Sequence, residues 1–265
     1  MAIRSQWRAW LCLAAILGVI VFCACHSKAR AEPSPALAPF EMALAPMKAP
    51  LDLPPSPLKA APFGLAQTAL AAAPAQAITA KWKSLQSIIA LETRAMTLCR
   101  ETSGACTPST ARFLAIIDAA RHETGRARAS LINRAINLAI RPARDSALFG
   151  VADVWQSPLM AFASGSGDCE DYAIAKYVAL RETGLSADEL KLVIVRDDAI
   201  GEDHAVIAAR IDGQWLILDN RRMLLLTDTQ ASDLKPLIAL GEDAPTLARD
   251  AGLDGQRMAA PTIYG

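Results

Sequence analysis

Apolar positions follow a helical period through the middle of the chain and a strand-like pattern after Gly184. Trp82, Leu85, Ile88, Ile89, Met96 and Leu98 predict a helix that begins near Trp82 and ends near Cys99. Thr107-Pro108 supplies an N-cap and a first-turn proline, so a second helix starts there, with Phe113, Leu114, Ile116, Ile117 and Ala120 as its buried stripe. His122 falls at the polar end of that helix and reads as a surface residue. Leu131, Ile132, Ile136, Leu138 and Ile140 repeat the period until Pro142 stops it. From 142 to 165 the pattern is loop-like, carrying Phe149, Trp155 and Phe162. Aromatics in such a loop serve either as a substrate ledge or as a lid packed on the core; Trp155 is the candidate to line a substrate groove.

A Gly-Ser-Gly turn then runs into Asp168, which caps a helix bearing Ala173, Ile174, Tyr177, Val178 and Leu180 and ending at Gly184, a natural C′ residue. Three strand-like runs follow at 190–196, 204–211 and 214–219. Asp212-Gly213 is a two-residue hairpin signal between the last two. With those two residues as the loop, Ile211 faces Gln214 and Val206 lies opposite Asp219. His204 and Asp219 then become diagonal neighbours on one face of the hairpin. A one-residue slip would put them on opposite faces.

Composition changes the picture mainly at the N-terminus. Arg4 and Arg8 precede a short apolar run at 10–22, and Ala29-Arg30-Ala31 follows, the layout of a secretory signal at 1–31 with cleavage after Ala31. A retained membrane anchor is the alternative, although the run is short for a full span. Phe22-Cys23-Ala24-Cys25 makes a poor lipoprotein site. Residues 32–80 are rich in Ala and Pro, with prolines recurring from Pro33 to Pro74, and read as an extended linker. The folded domain is expected at 81–240 and a tail at 241–265. Lys plus Arg and Asp plus Glu each number 27, and no basic cluster follows the leader, which argues against a nucleic-acid partner.

Export makes the periplasm the expected location and alters the meaning of the cysteines. Cys12, Cys23 and Cys25 leave with the signal. Cys99 and Cys106 bracket a polar loop and are positioned to form a disulfide. Cys169 remains as a lone thiol in the first turn of a helix, where backbone N–H groups and the macrodipole favour a thiolate. Cysteine hydrolysis also needs an imidazole to take the thiol proton, a group that orients it, and an oxyanion donor. His26 lies in the signal and His122 on a helix end, which leaves His204 as the base and Asp219 as its orienter. A zinc site built from the same residues offers three ligands and no evident fourth. Asp168, Glu170 and Asp171 place negative charge beside the thiol and, unopposed, raise its pKa. Either a hard cation such as Ca²⁺ offsets them, or they are solvated acids at a helix N-terminus.

Gly167-Asp168-Cys169-Glu170-Asp171-Tyr172-Ala173, then His204-Ala205-Val206 and Leu218-Asp219-Asn220, resembles the bacterial transglutaminase-like cysteine proteinases, whose best-understood members are LapG-type periplasmic proteases. The resemblance spans roughly 82–240 and includes Leu148-Phe149-Gly150-Val151-Ala152-Asp153-Val154-Trp155. It implies an α+β fold of the papain-like, transglutaminase-like type, with N-terminal helices packed on an antiparallel sheet and the nucleophile at a helix N-terminus. It also implies a Cys169–His204–Asp219 triad and calcium dependence through Asp168, Glu170 and Asp171. The substrate it implies is a cell-surface or periplasmic protein such as a large adhesin. The regulator it implies is an inner-membrane receptor for cyclic di-GMP. The chain departs from the LapG-type pattern at Met160-Ala161, where those proteins tend to carry an acid and an aromatic.

Overall fold

The computed structural model describes residues 61–65, 73–242 and 245–247. The chain divides into Met1–Asp52 and Leu53–Gly265. The expected signal, most of the linker and most of the tail lie outside the described residues.

Helix α1 runs Ala73–Glu101, beginning well before Trp82 and inside the segment expected to be extended. Pro74 falls in its first turn, where a missing N–H costs no helical bond, and the alanines that follow have the highest helix propensity. Trp82, Leu85, Ile89, Met96 and Cys99 form its buried face at three- and four-residue steps. Ile88 and Leu98, expected in that stripe, are rotated off it and lie 43% and 56% exposed. A disulfide joins Cys99 to Cys106, with Cα atoms 4.6 Å apart. It closes the turn into α2 (Pro108–Arg121), whose N-cap Thr107 accepts the Thr110 N–H at 3.1 Å. Helix α3 (Gly125–Ala139) follows.

Strand β1 (Arg141–Pro142) pairs in parallel with β2 (Ser166–Gly167). Between them, where the pattern predicts a loop, the chain forms α4 (Asp145–Leu148) and α5 (Pro158–Ser164). Helix α5 was hidden by its shortness, although Pro158 opens it and Gly165, at φ 66°, closes it. Helix α6 (Cys169–Glu182) is the central element, buried at every position from Cys169 to Leu180.

Six antiparallel strands complete the fold: β3 (Leu190–Asp197), β4 (Glu202–Ile211), β5 (Gln214–Leu218), β6 (Leu226–Thr227), β7 (Leu234–Leu240) and β8 (Thr246–Leu247). Their order is β6-β5-β4-β3-β7-β8. Strand β7 escaped the pattern because Pro236 argues against a strand interior. The register between β3 and β7 shifts between Ile194 and Val195, and Val195 faces Pro236, so an irregularity in the pairing accommodates the ring. β8 carries the sheet past residue 240, the expected edge of the domain.

The molecule is thus α+β, with helices on one face of an antiparallel sheet. Leu192, Ile194, Ala205, Ile207 and Ala209 join the helices in the main core. Val193, Val195, Val206 and Ala208 alternate to the other face, where they cluster with Trp215, Ile217 and Leu65. The β4–β5 turn is the two-residue loop expected, with Asp212 at φ 51° and Gly213 at φ 79°, and Ile211 pairs with Gln214. These positive φ values match the right-handed twist of the flanking strands.

Candidate active site

The site forms where the N-terminus of α6 meets the end of the β4–β5 hairpin. Hairpin pairing runs from Ile211–Gln214 to Ile207–Leu218. One step further sets Asp219 opposite Val206 and diagonal to His204, and His204 Nε2 lies 2.8 Å from Asp219 Oδ1. Asp219 Oδ1 also accepts the Arg221 N–H at 2.9 Å, Arg222 Nε stands 3.4 Å from Oδ2, and Asn137 Nδ2 donates to the Asp219 carbonyl at 3.0 Å. Burial pushes the Asp219 carboxyl up, but the His204 hydrogen bond and charge, the Arg221 N–H and the attraction of Lys176 together hold it below the usual carboxylate range. His204 is fully buried, and its other ring nitrogen, Nδ1, has no hydrogen-bond partner.

Cys169 is the first residue of α6 and is fully buried. Its Sγ donates to Glu170 Oε2 at 3.0 Å, and the backbone N–H of Ala205, next to His204, bears on the sulfur. Burial is the main cause that pushes the thiol up. Glu170 and Asp168 add to it, and the Ala205 N–H opposes them. The Sγ–H hydrogen bond runs to Glu170, the residue next along the helix.

The acids around Cys169 separate by helix geometry. Asp168 and Asp171 are three residues apart on one face, with the Asp168 N–H donating to Asp171 Oδ2 at 3.2 Å in a capping box. Gly167 makes room for this pairing: a Cβ there would sit 2.8 Å from Asp171 Cβ and closer still to its carboxylate. Glu170 accepts the Cys169 Sγ–H and also bears on the Asp168 carboxyl. The third acid beside Asp168 and Asp171 is instead Asp145, at the start of α4, and a carboxylate oxygen from each of the three lies within 4.8 Å of the others. Asp145 is an acid beyond the expected grouping of Asp168, Glu170 and Asp171.

The geometry of the acid cluster suits a hard cation. Asp145 Oδ1 and Asp168 Oδ1 are buried without a hydrogen-bond partner. Burial and the neighbouring Glu170 and Asp171 push Asp168 up to about 11. Burial likewise lifts Asp171 to about 7, against the Gln156 backbone and side-chain N–H groups that bond it at 2.8 Å and 2.5 Å. Asp145 is raised too, chiefly by burial. Oxygen donors this crowded and this dry need protons or a cation to balance them.

A family model described as bacterial transglutaminase-like cysteine proteinase, BTLCP, matches residues 92–233, which hold the whole of this site. The chain belongs to that family. It is a cysteine peptidase of the transglutaminase-like type. No curated protein matches the chain. Among solved structures, calcium-bound LapG of Legionella pneumophila is similar at 23% identity and a TM-score of 0.50, over 60% of this chain and 92% of that one. A second structure of Legionella pneumophila LapG is 24% identical at a TM-score of 0.49, over 63% of this chain and 95% of that one. The likeness to the calcium-bound structure extends to the fold.

The remaining expected residues fall elsewhere. Trp155 packs edge-on against Trp82, with ring centroids 6.5 Å apart, and Lys81 Nζ lies 5.1 Å from its ring centroid. These contacts tie the α4–α5 connection to α1. Phe162 packs at a tilt against Phe113 in the core, Phe149 is 41% exposed, and His122 is exposed at the end of α2. Sequence reasoning passed over Asp145, Gln156 and Lys176. Asp145 and Gln156 stand in the stretch read as loop, and Lys176 sits in an α6 pattern whose apolar residues drew the attention.

Proposed function

We propose that this cysteine peptidase is an exported endopeptidase in which Cys169 attacks the scissile carbonyl of a protein at the cell surface or in the periplasm, a large adhesin being the class that the sequence resemblance implies. His204 Nδ1 takes the thiol proton as Sγ bonds to the carbonyl carbon, and the imidazolium returns it to the leaving amine as the C–N bond breaks. Water then hydrolyses the thioester, restoring the thiol and releasing the acid. Asp219 keeps the imidazole in the tautomer that leaves Nδ1 free. The Cys169 N–H, in the first turn and outside the helical ladder, is the oxyanion donor. One observation carries this reading: Nε2 of the buried His204 is bound to Asp219 at 2.8 Å while its Nδ1 is unpartnered, and the neighbouring Ala205 N–H bears on Cys169 Sγ.

Calcium belongs to the same proposal. Asp145, Asp168 and Asp171 would hold it, and the calcium-bound LapG structure supports the choice of ion. A divalent cation there supplies positive charge that offsets the acids beside the thiol and favours the thiolate. An inner-membrane receptor responsive to cyclic di-GMP is the partner that would restrain such an enzyme. Export follows from the leader at 1–31, with Glu32 as the mature N-terminus.

The test is substrate processing by variants. Cys169→Ala and His204→Ala abolish cleavage. Asp219→Ala retains more activity than either, because an orienting group is partly dispensable. Unchanged cleavage in the first two contradicts the proposal. A labelled amine added to the reaction separates hydrolysis from acyl transfer: incorporation of the amine in place of cleavage would make the enzyme a transglutaminase.

A further inference from the structure

Gln156 is a neutral residue of the α4–α5 connection, outside both the triad and the acids, yet it is buried. Its side-chain amide is used at both ends. Nε2 donates to Asp171 Oδ2 at 2.5 Å and to the Ser166 carbonyl at 3.1 Å, and Oε1 accepts from Ser164 Oγ at 3.1 Å. The Gln156 backbone N–H donates to Asp171 Oδ1 at 2.8 Å. One residue thus grips both carboxylate oxygens of Asp171. The Asp168 N–H adds a bond to Oδ2 at 3.2 Å. A carboxylate has about four acceptor positions, so these donors fill Oδ2 and leave a position on Oδ1.

The same connection holds a second acid. The Val154 N–H donates to Asp145 Oδ2, while Asp145 Oδ1 and Asp168 Oδ1 stay buried without a partner. Each acid of the cluster therefore keeps an oxygen with acceptor capacity to spare. The connection is itself fixed to α1: Trp155 packs on Trp82, and Glu92 accepts from Ser157 Oγ and from the Leu159 N–H at 3.0 Å. A neutral amide orients a carboxylate without cancelling its charge, whereas a lysine or arginine in its place would do the work of the cation. We propose that Gln156 is a positioning residue of the cation site: its amide and N–H fix the Asp171 carboxylate so that the remaining acceptor position is held beside the free oxygens of Asp145 and Asp168. This rests on the calcium reading above. Outer partners of this kind set metal affinity, because they orient the ligand before the ion arrives.

The probe is Ca²⁺ alone, titrated into the purified protein by calorimetry. Gln156→Met keeps the length of the side chain and removes its amide. It binds Ca²⁺ about tenfold or more weakly than wild type. Glu92→Ala separates this effect from a general loosening, since it frees Ser157 and Leu159 of the same connection without touching an acid of the cluster. That variant melts at lower temperature and keeps the wild-type calcium affinity. A second arm needs no variant. In wild-type protein carrying ¹⁵N-labelled glutamine, the Gln156 side-chain amide resonance shifts on addition of Ca²⁺ and follows the calorimetric curve. Wild-type affinity in Gln156→Met, an equal loss in Glu92→Ala, or an amide resonance that Ca²⁺ leaves unmoved overturns the proposal. A wild-type protein that binds no Ca²⁺ removes the calcium reading and this proposal with it. Calcium binding by the wild type that Gln156→Met matches removes this proposal alone.

Discussion

Glu170 and Asp171 are adjacent acids with different work. Glu170 accepts a hydrogen bond from the thiol at 3.0 Å and also bears on the Asp168 carboxyl, whereas Asp171 accepts from the Asp168 N–H and from Gln156. A local motif of acids cannot separate these roles, because the roles depend on a 100° rotation per residue and on a third acid, Asp145, delivered from α4. The cluster therefore predicts a specific pattern of calcium binding. Titration calorimetry of the wild-type protein shows heat with Ca²⁺ and a rise in melting temperature. Asp145→Asn loses both, whereas Glu170→Gln keeps both. Equal binding by the wild type and Asp145→Asn would contradict the assignment. Lys176 sets a second expectation, in stability. Burial lowers its pKa to about 7 from the ordinary 10.5, against the pull of Asp219. Below about pH 7 folded and unfolded chains both hold the proton, so the cost of burying the charge is fully present. Between about 7 and 10.5 the unfolded chain binds a proton that the native state has released, so stability rises with pH from this group. Lys176→Met is accordingly more stable than wild type at pH 6, and its advantage shrinks as pH climbs through that window. Denaturant midpoints measured across the range check the slope.

At the scale of elements, the hairpin was the most legible part of the chain. Asp212-Gly213 admits the positive φ values of a two-residue turn, the turn sets the register, and the register carries His204 to Asp219. Helix starts were legible where a proline or a capping residue marked them, as at Thr107 and Asp168. Four features were not. The start of α1 at Ala73 was masked by proline-rich sequence around it, α4 and α5 are too short to show a period, and β7 carries a proline. Those losses matter for the site, since α4 holds Asp145 and the α4–α5 connection holds Gln156. The Cys99–Cys106 bridge spans a sequence separation of 7. A loop this short restricts the unfolded chain modestly, so replacing both cysteines with serine costs about 2–3 kcal/mol by the chain-entropy relation. Urea denaturation of the double variant measures that loss, and the active site, on other elements, keeps its Cys169 reactivity.

For the whole molecule, Cys169 opens a helix buried from Cys169 to Leu180, while His204 stands on β4 and Asp219 just past β5 in the antiparallel sheet. Among the described residues no helix is long and apolar enough to cross a membrane. Burial, Glu170 and Asp168 push the Cys169 thiol up, and its hydrogen bond runs to Glu170. Under the proposal above, calcium at Asp145, Asp168 and Asp171 offsets those acids, and cleavage falls when the ion is chelated. Family and fold were legible from the Gly-Asp-Cys-Glu-Asp segment with its downstream His204 and Asp219. The substrate was not, because specificity depends on surfaces that no short motif encodes. The central claim is that Cys169 cuts an exported protein, and labelling of new protein N-termini on cells tests it most directly. Cells producing the wild-type chain yield a discrete set of N-termini from exported protein that is missing with Cys169→Ala and with His204→Ala. The same set of N-termini in all three would contradict the account.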